Sequence, residues 1–96
     1  MDLDLANRML EIVAAVPAGR VTTYGDIAAR AGSPSPRLAG RVLSQLSDDD
    51  TPWHRVVRAD GSPAPALLDR QSKLLAAEGV PVVNGRVNLR RYRWTD

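Results

Sequence analysis

The chain has 96 residues, the length of one domain with one modest hydrophobic core. Thirteen basic residues against 11 acidic ones give a formal net charge of +2, and the basic set is 12 Arg with a single Lys, Lys73. The absence of Cys and the single His54 exclude disulfides, thiolate metal sites and thiol nucleophiles, and no run approaches the roughly 20 apolar residues of a membrane span. The start, Met1-Asp2-Leu3-Asp4, is acidic and lacks the layout of a signal peptide. The expectation is therefore one domain over residues 1–96, cytoplasmic, without cofactor or metal and without membrane contact. Arg suits phosphates and base edges. A G+C-rich genome would produce the same Arg and Ala bias.

Leu5, Met9, Ile12, Val13 and Val16 recur at helical spacing and predict a helix over residues 3–16, stopped by Pro17-Ala18-Gly19. Arg20-Val21-Thr22 is a short extended piece. Thr23, with Asp26 three residues on, resembles a capping box that opens a second helix through Ile27, Ala28 and Ala31, closed by Gly32. Ser35 followed by Pro36 reads as an N-cap and first helical position, starting a third helix that runs to about Leu46. Two helices joined by Gly32-Ser33-Pro34 make a helix-turn-helix candidate. A polar loop over residues 47–51 precedes a strand at His54-Arg55-Val56-Val57. Asp60-Gly61 marks a turn, and a fourth helix is expected from about Leu67 to Glu78. Asn84-Gly85 between Val82-Val83 and Arg86-Val87 predicts a type I′ hairpin. The ending, Arg90-Arg91-Tyr92-Arg93-Trp94, is basic and aromatic. It reads as a tail docked by Tyr92 and Trp94, or as an auxiliary phosphate contact. The pattern fits an α+β domain of winged-helix, helix-turn-helix type.

Four places carry chemistry. Arg37, Gly40, Arg41 and Ser44 share one face of the third helix. Gly40 costs about 1 kcal/mol there relative to Ala, which close approach to a groove wall or packing against a neighbouring helix would explain. Trp53 beside His54 is either core packing or the wall of a pocket for a flat aromatic ligand. His54 has two candidate carboxylate partners, Glu78 and Asp60. Tyr24, at the start of the second helix, is a packing residue or a donor to a phosphate.

The run Val16-Pro17-Ala18-Gly19-Arg20-Val21-Thr22-Thr23-Tyr24-Gly25-Asp26-Ile27-Ala28 resembles the DNA-binding half of O6-alkylguanine-DNA alkyltransferases. So does Arg37 followed by Gly40, and so does Glu78-Gly79-Val80 after a helix beginning near Arg70. The resemblance covers about residues 5–83, in the family's order and spacing. The family's active site reads Pro-Cys-His-Arg-Val; this chain reads Pro52-Trp53-His54-Arg55-Val56. Trp in that place is the mark of the alkyltransferase-like proteins, and the ending Val87-Asn88-Leu89 with Tyr92-Arg93-Trp94 also resembles theirs.

The resemblance implies the fold of the alkyltransferase C-terminal domain and recognition of O6-alkylguanine in double-stranded DNA without chemistry. Arg37 matches the finger that fills the space of the flipped base, and Tyr24 the residue that pushes on the phosphate. The third helix matches a recognition helix lying in the minor groove, with Thr23, Tyr24, Ser35, Arg37, Gly40, Arg41 and Ser44 as DNA contacts. Tyr24, Trp53, His54, Val56 and Glu78 would form the lesion pocket, with His54 and Glu78 left as a structural remnant of Cys activation and Arg55 tying the strand down. The implied partners are damaged DNA and nucleotide excision repair proteins, with the chain itself a monomer. Two departures are visible. The segment Pro34-Ser35-Pro36 is one residue shorter than the family pattern, and the loop from Asp60 to Asp69 is short. The alternatives from other classes are a winged-helix DNA-binding protein without lesion specificity, and a hydrolase using His54 and Glu78. The hydrolase has no nucleophile or metal site to accompany the pair.

Overall fold

Asp2 opens the first helix: its carboxylate accepts from the amides of Asp4 and Leu5 at 3.0 and 3.2 Å. In the computed structural model, which describes residues 1–95, this helix (α1) spans Leu3–Ala15. Ala6, Met9 and Val13 form its buried stripe, and Val16 has turned extended at the C-cap. The short strand β1 (Thr22–Thr23) leads directly into α2 (Tyr24–Ala31). Thr23 Oγ1 caps α2 by accepting from the Asp26 amide at 3.1 Å. Ser35 Oγ does the same for α3 (Pro36–Leu46), accepting from the Leu38 amide at 3.2 Å. The two predicted caps thus sit where the local sequence put them.

α1, α2 and α3 pack through small side chains. Ala6, Ala28, Ala31 and Ala39 lie among Met9, Val13, Ile27 and Val42, with Val56 joining from the second strand. Small residues let the helices approach closely, and Arg8 secures the arrangement by donating to the Ala31 carbonyl at 3.1 Å.

The expected strand over residues 54–57 is half its predicted length. Trp53–Arg55 winds into a 3-10 turn after Pro52, leaving β2 as Val56–Val57. Consecutive strand residues point to opposite faces, yet His54 and Arg55 both reach Glu78; a turn allows this and a strand does not. β2 pairs in parallel with β1, Thr22 opposite Val56 and Thr23 opposite Val57. Val56 enters the three-helix core. Val57 enters a second cluster with Val21, Leu75, Val80 and Val87. The two-stranded ladder therefore sits between the two clusters.

A 3-10 turn at Pro65–Leu67 precedes α4 (Leu68–Ala77), which puts Glu78 at its C-cap. The predicted hairpin shrinks to one bridge. Val83 and Arg86 exchange hydrogen bonds of 2.9 and 3.1 Å around Asn84 and Gly85, whose φ of 53° and 77° is the type I′ signature. It does not extend into a wing. Pro81 has no N–H to give, and the Val87 amide is taken by the Gly61 carbonyl at 2.8 Å. The tail forms α5 (Leu89–Tyr92) and docks along β1: the Val21 amide donates to the Tyr92 carbonyl at 2.9 Å, and Trp94 donates back to Val21 at 2.7 Å. Arg93 pairs with Asp26 at 2.8 Å, and the Arg30 guanidinium lies 4.2 Å above the Trp94 ring. No helix among the described residues is long and apolar enough to cross a membrane.

Candidate nucleic-acid interface

The outer face of α3 carries Arg37, Arg41 and Ser44, all exposed, with Gly40 half-buried between them. A Cβ added to Gly40 would meet the Tyr24 ring at 3.9 Å, an ordinary contact. Packing within the chain therefore does not require glycine there. A glycine on this exposed face leaves room for the helix backbone to be approached closely from outside.

Behind that face, a cavity of about 260 Å³ opens between α2, α3 and the Trp53 turn, walled by Tyr24, Gly40, Leu43, Ser44, Trp53 and Arg70. The Arg70 guanidinium stands 5.2 Å from the Trp53 ring centroid, and His54 meets the indole edge-on at 6.2 Å. An indole, a phenol and a guanidinium together make a lining suited to a flat aromatic ligand with polar edges. Ser47 Oγ, also in the lining, is buried and has no hydrogen-bond partner among the described residues. Burial pushes the Tyr24 hydroxyl above its usual range, against a weaker lowering by the Arg58 charge. The phenol therefore remains a neutral donor at physiological pH.

Glu78 is the centre of a second arrangement. His54 Nε2 donates to its Oε2 at 2.8 Å, Arg55 donates to the same oxygen at 2.7 Å, and the Gly19 amide donates to Oε1 at 3.3 Å. The Arg55 hydrogen bonds are the main cause that holds the carboxyl down at about 2, with His54 and Gly19 adding to them against the opposing effect of burial. Arg55 also donates to the Val16 carbonyl at 2.9 Å, so this clamp ties the end of α1 to the end of α4. His54 thus takes Glu78; Asp60 instead accepts from the Ser62 amide at 2.9 Å. Gln71, fully buried, donates to the carbonyls of His54 and Val56 at 2.9 and 2.7 Å.

The predicted pocket residues therefore separate. Tyr24 and Trp53 line the cavity, while His54 and Glu78 belong to the clamp. Val56 is 1% exposed in the core, because the strand turns its side chain toward α1 and α3. Thr23 is 4% exposed and occupied in capping α2, and Ser35 caps α3, so both shape the face through their helices. Arg70, Ser47 and Gln71 escaped the sequence reading. Neither Arg70 nor Gln71 had a local signal: Arg70 comes to Trp53 only through the packing of α4 against the Trp53 turn, and Gln71, a polar residue in a helix, reads as exposed.

A helix-turn-helix with an exposed Arg face over an aromatic cavity defines a DNA-binding domain, and the comparisons agree. Residues 4–80 match the family described as 6-O-methylguanine DNA methyltransferase, DNA binding domain. The chain is 51% identical over 93 residues to the DNA base-flipping protein of Escherichia coli K12, covering 92% of this chain and 72% of that one. It is 32% identical over 99 residues to alkyltransferase-like protein 1 of Schizosaccharomyces pombe, covering 92% of each. Its fold matches the crystal structure of S. pombe Atl1 in complex with damaged DNA containing O6-carboxymethylguanine, with a TM-score of 0.89 and 31% identity over 100% of this chain and 98% of that one. The O6-methylguanine methyltransferase of Mycobacterium tuberculosis matches at a TM-score of 0.67 and 28% identity over 78% of this chain and 48% of that one. The chain belongs to the O6-alkylguanine-DNA alkyltransferase family, on the side of its alkyltransferase-like and base-flipping members.

Proposed function

We propose that residues 1–96 act as one domain, a monomeric, non-enzymatic sensor of O6-alkylguanine in double-stranded DNA. The observation that carries the reading is the cavity of about 260 Å³ walled by Tyr24, Trp53 and Arg70 directly behind the Arg37–Ser44 face. α3 lies in the minor groove, with Gly40 allowing contact and Arg41 and Ser44 holding backbone. Extracting a base costs a few kcal/mol of stacking and pairing. O6-alkylation weakens pairing to cytosine, which makes the damaged base the cheaper one to extract. Arg37 fills the vacated space and stacks there. Tyr24, a neutral donor at the start of α2, engages the phosphate and turns the nucleotide outward. Trp53 faces the alkyl group, an apolar preference worth about 1–3 kcal/mol per methylene, and Arg70 offers a cation beside the base.

Trp53 stands where the family's acceptor Cys stands, and the chain has no Cys anywhere, so the alkyl group stays on the DNA. His54, Glu78 and Arg55 hold the Trp53 turn in place. The persistent complex marks the lesion in the cytoplasm for nucleotide excision repair proteins. The test is a duplex with O6-methylguanine next to 2-aminopurine, whose fluorescence rises when its neighbour leaves the stack. Wild type raises the signal and Arg37→Ala does not, while the protein mass stays unchanged. A methylated protein, or equal signals from both proteins, rejects the reading.

A further inference from the structure

A second basic surface surrounds the tail, on residues that the DNA reading does not use. A groove of about 620 Å³ is ringed by Arg20, Arg90, Arg91 and Arg93, with Leu89 and Trp94 supplying apolar wall. Four of the chain's 12 Arg gather here, and no carboxylate belongs to the described lining. Arg93 is already paired with Asp26. Arg20, Arg90 and Arg91 are exposed, and none of them forms an ion pair with a described carboxylate.

The groove is a built feature of the fold. Arg20 Nη1 donates to the Arg91 carbonyl at 2.8 Å, and the main chain on either side of Arg93 is bonded to Val21 at 2.9 and 2.7 Å. These bonds fix the backbone that carries the four Arg, and the guanidinium groups of Arg20 and Arg93 are themselves held by hydrogen bonds, which limits the freedom lost on binding. Guanidinium forks take carboxylates in bidentate pairs.

We infer that this groove docks an acidic segment of a partner protein, one with apolar residues among its carboxylates. Two observations favour a peptide over a second stretch of DNA. The walls from Leu89 and Trp94 match an apolar side chain, which a phosphate backbone lacks. None of the groove's lining residues lines the cavity behind α3 or belongs to α3, so the groove is separate from the seat proposed for the extracted base. The inference goes beyond lesion recognition and does not depend on it.

The test uses the full chain and a fluorescein-labelled peptide of about a dozen residues, Glu and Asp interrupted by Leu and Phe, read by anisotropy. The peptide binds the free protein and its complex with duplex DNA, and a matched Gln and Asn peptide does not. Arg90→Glu with Arg91→Glu weakens peptide binding at least about tenfold, while the melting temperature and DNA affinity hold. Arg90→Glu alone, at an exposed side chain without a hydrogen bond among the described residues, serves as the second variant should the pair disturb α5. Absence of peptide binding, or equal binding by the variants, overturns the inference. So does displacement of the peptide by duplex together with a loss of DNA affinity in the variants, which makes the groove a DNA surface. DNA arms run with guanine and with O6-methylguanine read lesion recognition separately, so each idea can fail without the other.

Discussion

Gly40→Ala separates stability from binding, because the structure predicts opposite signs for the two. Glycine inside a helix costs about 0.8–1.0 kcal/mol relative to alanine, and Gly40 lies well inside α3. The new Cβ meets Tyr24 Cδ1 and Cε1 at 3.9 Å, touching the ring without displacing it. The variant therefore gains about 1 kcal/mol and melts about 4–8 °C higher. The same methyl stands in the wall of the cavity, on the face shared by Arg37, Arg41 and Ser44. Against a groove wall and an inserted base it acts as overpacking, at about 1–3 kcal/mol. That is roughly a fivefold to hundredfold loss of affinity. Thermal melts and anisotropy with a lesion duplex at one fixed salt concentration give both numbers. A variant that is more stable and binds DNA as well as wild type refutes the close approach of α3. A variant that is less stable refutes the packing described around Tyr24.

Three further substitutions test the scaffold. Glu78 is lowered from its ordinary 4.5 to about 2, so its contribution is complete above the unfolded value and fades as pH falls toward 2, on the order of 3 kcal/mol in all. Urea unfolding at stepped pH should show this acid loss in wild type and a flatter profile in Glu78→Gln; equal slopes would exclude the clamp. Gln71→Leu leaves the His54 and Val56 carbonyls without their buried donor, which should cost about 2–3 kcal/mol in chemical denaturation; a change below about 0.5 kcal/mol contradicts that role. Gly61→Ala puts a Cβ 2.4 Å from the Val87 carbonyl oxygen at a φ of +86°, and should cost more than about 2 kcal/mol. Unchanged stability there would mean that the loop does not rest on Val87.

What could be read from the sequence was local. Thr23 and Ser35 cap their helices because each side chain needs only an amide three residues away, and Asn84-Gly85 set their own turn. The wing did not follow, since its continuation depended on Val87, whose amide is claimed by Gly61 from a distant loop. The choice between Glu78 and Asp60 for His54 was likewise nonlocal. It was settled by Glu78 sitting at the C-cap of α4, where Arg55 and the Gly19 amide also converge. Of the candidate pocket, Trp53 was legible from its place beside His54 and Tyr24 from its place at the start of the second helix. Arg70 and Ser47 joined them only once α4 and the end of α3 had been brought together in space. Val56 was grouped with the pocket through its neighbours in the motif, and strand alternation sent it into the core instead.

The central claim is preference for the damaged base, and one titration tests it most directly. A short duplex with a single O6-methylguanine is compared with the same duplex carrying guanine, for wild type and Arg37→Ala, at one stated salt concentration, since phosphate contacts alone make any affinity salt-dependent. The account predicts at least about tenfold tighter binding of the lesion duplex, equivalent to about 1.4 kcal/mol, with most of that affinity lost in Arg37→Ala. Equal binding of the two duplexes would contradict it and leave a DNA-binding domain without lesion specificity.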